Sequence, residues 1–415
     1  MAGRKLVPYK WELIILLWFA YCFNQADRQV YNVVLPLLQR ELQLSDVQAG
    51  LVASIFMWTY AALVPIAGYI GDMFRRKWVV VCSLLVWSVA TILSGASSGL
   101  IALVVCRSLA TGGGEAFYYP SANSLIGQYH EKTRALAMSI HQTSVYVGIV
   151  ASGLIAGWIA DHYGWRMSFY VFGSIGVALA VLMLFRLKDV ASPAGDRKED
   201  VTPPWQVLKA VSRKPTFWAL CLAFSGFNFA GWGYFTWMPT FLHEKYGLSL
   251  ANAGFSSMFY SNLFAMVGVI IGGRLSDVLA ARRSTIRMEF EYLGLLLGAP
   301  FIALMSLTGN LWLCYVGLAG FGLFRGVYDS NLFAALFDVI EPRYRASAVG
   351  AMLCISFVIS AFAPVTLGWA KSTIGLTNGM ALLSIVFGGS AVIIFAATKL
   401  FFAGDRIVEV EEAEA

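Results

Sequence analysis

The chain has 415 residues, of which 58% are hydrophobic, 14% aromatic and only 13% charged, with a formal net charge of +6. Soluble domains carry roughly 25% charged residues, so this composition excludes an ordinary soluble globular domain and points to a chain that lives in a bilayer. The positive balance follows from loop topology and requires no nucleic acid.

Spanning a bilayer takes about 20 mostly apolar residues per helix. Twelve such runs follow one another near 12–37, 47–71, 77–97, 100–126, 135–161, 165–187, 216–243, 250–276, 288–308, 310–337, 346–370 and 377–402. The first follows Arg4, Lys5 and Lys10 as a signal peptide would, but it runs on through "NQADRQVYNVVLP" without a small-residue cleavage site, which predicts a retained helix. With the N-terminus cytoplasmic, Arg40, Arg166, Lys245 and Lys371 fall at outer loops and Arg28, Arg107 and Arg325 inside helices. The other 23 of the 30 Lys and Arg lie in inner hairpins and tails. That bias fixes the orientation, with both termini cytoplasmic. Short loops suggest a bacterial inner membrane.

The polar stretch 188–214 separates six runs from six, and its segment "WQVLKAV" suits the membrane surface. The expected organisation is a six-helix bundle over 1–187, a cytoplasmic linker over 188–214, and a second six-helix bundle over 215–415 ending in a short acidic tail. The halves repeat each other. "LPLLQRELQLSDVQAGL" (35–51) matches "MPTFLHEKYGLSLANAGF" (238–255), "GYIGDMFRRK" (68–77) matches "GRLSDVLAARR" (273–283), and "EKTRALAMS" (131–139) matches "EPRYRASAVG" (341–350). Parallel six-helix repeats point to a transporter with its site between the halves.

Other classes find less support. The six cysteines form no CxxC pair and sit within or at the ends of predicted helices, so neither a disulfide framework nor a metal site is indicated. The four histidines are scattered, and each suits a cap or a loop. No nucleophile stands at motif spacing from a base, which argues against an enzyme and against any cofactor. Two six-helix repeats favour alternating access over the fixed pore of a channel.

"GYIGDMFRRK" resembles the loop between helices 2 and 3 of the major facilitator superfamily, roughly GxxxDxxGRK, with Arg75 where the family usually has Gly. The second copy at Asp277, the repeat, and "DHYGWRMSF" (161–169) extend the resemblance over nearly the whole chain. "ADRQV", "GEAFYYPSANSL" and "WMPTFLHEKYGLSLANAG" resemble the anion:cation symporters, which move organic acids with protons. "DRQ" and "GGGEA" also resemble the Spinster-like branch, which handles lysolipids and other amphiphilic anions. The resemblance implies an all-α membrane protein with two pseudo-symmetric six-helix bundles. It also implies that Asp72, Arg76 and Lys77, with Asp277, Arg282 and Arg283, belong to the conformational switch. Held-in positive charge explains the basic members equally well.

Six ionisable residues within the predicted helices are the hardest to excuse as helix-end charges: Asp27, Arg28, Arg107, Glu115, Arg325 and Asp329. Such groups are expensive in a bilayer and mark function by default. Asp27 and Arg28 are adjacent and therefore point about 100° apart, toward different partners. Arg325 and Asp329 stand at i, i+4 and can pair within one helix. Arg107 and Glu115 stand eight residues apart, about 12 Å along the axis and 80° around it. In the resembled families the two positions usually stand one residue closer, on one face, and a π-bulge near Thr111 to Gly114 would absorb the difference.

Tyr31, Tyr118, Tyr119 and Tyr328 share these faces and can line the same cavity, although a tyrosine alone more often packs with one satisfied hydroxyl. Aligning "EAFYYPSAN" with "RGVYDSNLF" puts Glu115 opposite Arg325. An arginine fork suits carboxylate or phosphate, so Arg28 and Arg325 lead as substrate contacts, with Arg107 beside them. Taking a carboxyl out of water favours its neutral form, which suits Glu115 or Asp27 to carrying a proton. The expected protein is a monomer in the lipid bilayer that takes one organic anion with one proton. A lysolipid-like anion, or uniport or exchange without protons, are the alternatives.

Overall fold

The computed structural model describes residues 8–130, 133–188, 211–280 and 282–407, without the side chains of residues 68, 69, 71, 72, 135 and 346. The expected surface segment "WQVLKAV" up to residue 210, the acidic tail from residue 408 and the Asp72 side chain lie outside the described residues.

The described residues are all-α and form twelve membrane-spanning helices. The helices are α1 (Tyr9–Leu42), α2 (Asp46–Met73), α3 (Arg76–Gly95), α4 (Leu100–Tyr129), α5 (Arg134–Tyr163) and α6 (Trp165–Arg186). After the linker come α7 (Pro215–Tyr246), α8 (Leu250–Ala280), α9 (Ile286–Leu307) and α10 (Leu311–Val339). The eleventh, α11, is built from Arg345–Ser360 and Ala363–Ile374, and α12 is Leu376–Leu400. Ten segments are long and apolar enough to span by composition alone. The two others, α1 and α7, are 34 and 32 residues long. Ionised residues lower the hydropathy of α1, and Trp, Tyr and Gly lower that of α7.

Local chemistry sets the ends. Ser45 and Gln48 form a reciprocal capping box that starts α2, and the Asn310 side chain accepts from the Trp312 and Leu313 amides to start α10. The α5–α6 and α11–α12 connections turn on Gly164 (φ 83°) and Gly375 (φ 85°), a backbone that side chains disfavour. These glycines occupy matching places in the two halves, a further echo of the repeat.

Large apolar side chains face outward along the spans: Ile101 is 80% exposed, Phe185 78% and Ile385 68%. A water-soluble protein would bury such a surface, whereas lipid solvates it. The first bundle packs around Leu13, Leu17, Trp87, Tyr118, Leu125 and Met183.

The compact units differ from the sequential halves. One unit joins residues 1–197 to 235–258 and 364–372, and the other joins 198–234, 259–363 and 373–415. In the first unit the loop-side ends of α7, α8 and α11 are held by close contact and by charge. A Cβ on Gly153 would collide with the Gly254 carbonyl, and one on Gly50 with the Pro364 carbonyl. Asp161 accepts from the Leu250 and Ala251 amides at 3.1 Å each and so caps α8. Lys371 pairs with Glu244 at 2.8 Å and with Asp46 at 3.2 Å.

Candidate functional site

Four of the six charges that the sequence singles out meet in the first unit. Arg28 Nε donates to Glu115 Oε2 at 2.6 Å, with the acid's side chain fully excluded from solvent and 15% of the arginine's still accessible. The guanidinium of Arg28 lies 4.5 Å from the Tyr60 ring and 5.6 Å from that of Phe56, both on α2. Arg107 Nη2 donates to the Arg28 carbonyl at 3.2 Å, and its guanidinium lies 4.4 Å from Phe56 and 5.7 Å from Tyr31. Asp27 turns the other way and accepts from Thr91 Oγ1 on α3 at 3.3 Å.

The helix itself makes this convergence possible. Through Val104–Thr111, α4 is a π-helix, and Thr111 Oγ1 donates to the Cys106 carbonyl five residues back at 2.9 Å. The wider turn takes up the extra residue, so Arg107 and Glu115 both reach Arg28. It ends at Thr111, directly before the glycine run. Gly112 and Gly114 serve instead to let α4 close onto Phe56 and Trp87, and Ser83 Oγ donates to the Gly114 carbonyl at 2.6 Å.

The acid's partner differs from the one that the repeat alignment suggests: Glu115 is bound by Arg28 within its own unit. The alignment identifies equivalent positions, and equivalence carries no information about which side chains touch. In the second unit Arg325 Nη2 donates to Asn262 Oδ1 on α8 at 3.1 Å and its guanidinium lies 6.0 Å from the Phe321 ring. Asp329, one turn along α10, lies within the electrostatic reach of Arg325.

The tyrosines divide. Tyr31 donates to the Ala49 carbonyl at 2.8 Å and Tyr118 to the Leu17 carbonyl at 2.7 Å, so both hydroxyls are engaged by backbone. Tyr119 is 38% exposed beside Tyr21. Tyr328 is buried with its ring 4.5 Å from that of Phe227. His141 sits in none of the expected caps or loops: it is buried, stacked 4.7 Å from Tyr21. Of the residues expected in the switch, Arg76 is buried at the start of α3, Lys77 lies 5.7 Å from the Trp78 ring, and Arg283 pairs with Glu289 at 2.6 Å. Asp277 lies in the last turn of α8 and Arg282 in the α8–α9 connection.

Tyr60, Phe56, Thr91 and Asn262 escaped the sequence reading. None is ionised, and only helix packing shows which faces meet. Among the described residues no group of three His, Cys, Asp or Glu could hold a metal ion.

Asp27 and Glu115 balance Arg28 and Arg107, so the fully ionised cluster is neutral. An anion that binds Arg28 must displace Glu115 or add net charge to a buried site, and an unpaired buried charge costs several kcal/mol. Residues 17–364 match the Major Facilitator Superfamily. The chain belongs to that superfamily. It is 28% identical to the cis,cis-muconate transport protein of Acinetobacter baylyi, over 90% of this chain and 91% of that protein. It is 25% identical to a hexuronate transporter of Bacillus subtilis, over 93% and 94% of the two chains. A bacterial homolog of the human lysosomal transporter Spinster, crystallised in an inward-facing, unoccupied conformation, has the same fold. Its TM-score is 0.87 at 23% identity, over 98% of this chain and all of that one. The facilitator family transports solutes across membranes, and this chain is a multi-pass transporter of that kind with organic-anion transporters among its relatives.

Proposed function

We propose that the protein is a proton-coupled symporter of a small organic anion, a carboxylate or sugar acid, working by alternating access as a monomer in a bacterial inner membrane with both termini cytoplasmic. The observation that carries this reading is the Arg28–Glu115 pair, a buried acid on an arginine that keeps part of its fork accessible. Protonation of Glu115 releases Arg28, and a substrate carboxylate takes the acid's place on the guanidinium. One proton and one monoanion then enter as a neutral set, which keeps the buried cluster free of net charge. Asp27, beside the same cluster, is the second candidate carrier.

Arg325 is the proposed anion contact of the second half. The cytoplasmic-side residues Asp72, Arg76 and Lys77, with Asp277, Arg282 and Arg283, are proposed to belong to the switch, and the bundles to divide as 1–187 and 215–415. The Asp161 cap and the Lys371 pairs must open for the outer ends of α7, α8 and α11 to part from α2 and α5. The relatives named for muconate and hexuronate make carboxylates the first substrates to try. Purified protein screened by thermal shift should be stabilised by about 2.7 kcal/mol at 100 times the dissociation constant of a true substrate. Stabilisation by lysolipids and by none of the small carboxylates would instead favour an amphiphilic anion.

A further inference from the structure

The charged cluster on α1 and α4 leaves one buried acid of the second unit unused. Glu291 lies in the second turn of α9 and is fully excluded from solvent, and neither of its carboxyl oxygens has a hydrogen-bond partner among the described residues. Its surroundings are tight. Gly294, three residues on and on the same face, brings the α9 backbone against α10, where a Cβ would meet the Phe324 carbonyl oxygen and the Tyr328 nitrogen at 3.0 Å. That contact holds the Glu291 side chain in the α9–α10 seam. The Tyr328 hydroxyl is buried there too and likewise lacks a hydrogen-bond partner among the described residues, with Glu291, Asp329 and Cys221 as its electrostatic neighbours.

Among the described residues no cation in the seam balances an ionised Glu291. The acidic group that acts on it is Asp338, which is already occupied by Arg287 at 2.7 Å and also faces Arg345 and Arg406. From α12 the one cation is Lys399, an exposed residue placed 5.9 Å from the Phe395 ring. Arg325 acts on Asp329, farther along α10. An ionised carboxylate in this seam would be stranded, whereas a carboxylic acid beside a phenol is tolerated. Arg287 stands one turn before Glu291, about 6 Å along the same face. Its Nε has no partner among the described residues, and the Arg287 and Asp338 side chains keep 30% and 22% of their surface accessible. A water-reachable ion pair with a spare donor therefore sits next to the buried acid.

We propose that Glu291 is a proton-binding site of the second unit, loaded and emptied through the Arg287–Asp338 pair and separate from the Arg28–Glu115 site. When the proton leaves, the spare N–H of Arg287 receives the carboxylate; when it returns, Arg287 goes back to Asp338 alone. The site goes beyond the symport reading above and does not depend on it.

The test uses the full chain in liposomes and an apolar carbodiimide, which attacks protonated carboxyls in apolar surroundings, with the modified peptides located by mass spectrometry. Labelling of the peptide that holds Glu291 should fall at least about fivefold between about pH 6 and pH 9, since a titrating acid loses up to tenfold of its protonated form per pH unit. Glu291→Gln should lose that label and no other. Labelling that stays constant with pH would make Glu291 a permanently neutral packing residue, and absence of label would make it ionised or sealed; either result overturns the proposal. Protection by sodium at constant pH would also overturn it, in favour of a metal cation. Glu115 and Asp27 lie on other peptides, so failure at Glu291 and failure of the coupling scheme at Arg28–Glu115 are read separately.

Discussion

Replacing Glu115 by Gln removes the charge that holds Arg28 and leaves an amide of nearly the same shape. The contact is 2.6 Å long, with the acid's side chain fully buried. An amide at 115 would still bond the ionised guanidinium but would lose the attraction between opposite charges, which at about 4 Å runs from about 1 kcal/mol in water to about 4 kcal/mol near a protein surface. With part of the guanidinium still reached by solvent, the low end of that range applies: the Glu115→Gln chain would hold Arg28 more weakly by about 1–2 kcal/mol, and a competing anion should bind about 5- to 30-fold more tightly. In the unaltered chain, affinity for a carboxylate should strengthen as pH falls, because a proton on Glu115 frees the arginine. The Glu115→Gln chain should bind tightly at every pH. Isothermal titration with cis,cis-muconate or a hexuronate across about pH 5 to 9 reads both effects. Equal affinity and an equal pH slope in the two chains would refute the competition between acid and substrate for Arg28.

Arg28→Ala strands a buried carboxylate and should cost about 3–5 kcal/mol of stability in thermal or denaturant unfolding at neutral pH, with the loss shrinking at low pH as the acid is neutralised. Arg325→Lys keeps the charge but loses the planar fork, so anion affinity should fall by about tenfold in the same titration; unchanged affinity would remove Arg325 from the site. Asp161→Ala leaves the Leu250 and Ala251 amides without their acceptor and should weaken that cap by about 0.5–2 kcal/mol. Thiol labelling at Ser54→Cys, a fully buried position whose hydroxyl accepts from the Val365 amide at 3.2 Å, should then rise severalfold; no rise would mean that the cap does not hold that end shut.

Most of the fold could be read from the chain because a bilayer demands long apolar runs, and those runs differ from the observed helices by only a few residues. The break in α11 at 361–362 was hidden, since "SAFAPV" is as apolar as its flanks. The charges of the candidate site were also legible, because an ionised residue in an apolar run has few innocent explanations. Their pairing was not. Asp27 and Arg28 gave away their divergence through helical geometry, but nothing in the spacing of 28 and 115 identifies them as neighbours. The π-helix stands where the spacing of Arg107 and Glu115 calls for it, beside the glycines, and the glycines themselves serve close packing. Nothing in "IRMEFEYLG" sets Glu291 apart from Glu289, because its burial depends on the approach of α10 at Gly294. Asp161 and Lys371 likewise look like ordinary loop charges until the loop-side ends of α7, α8 and α11 are in place.

The most direct test of proton-coupled symport is uptake of a labelled hexuronate, a monoanion, into proteoliposomes holding only this protein, with the pH gradient and the membrane potential imposed separately. Neutral co-entry of one proton and one anion requires accumulation driven by an acid exterior, no accumulation driven by potential at equal pH, and loss of the pH-driven accumulation in Glu115→Gln while equal-pH counterflow persists. Accumulation driven by the potential alone, or uptake indifferent to the pH gradient, would contradict proton symport through this site.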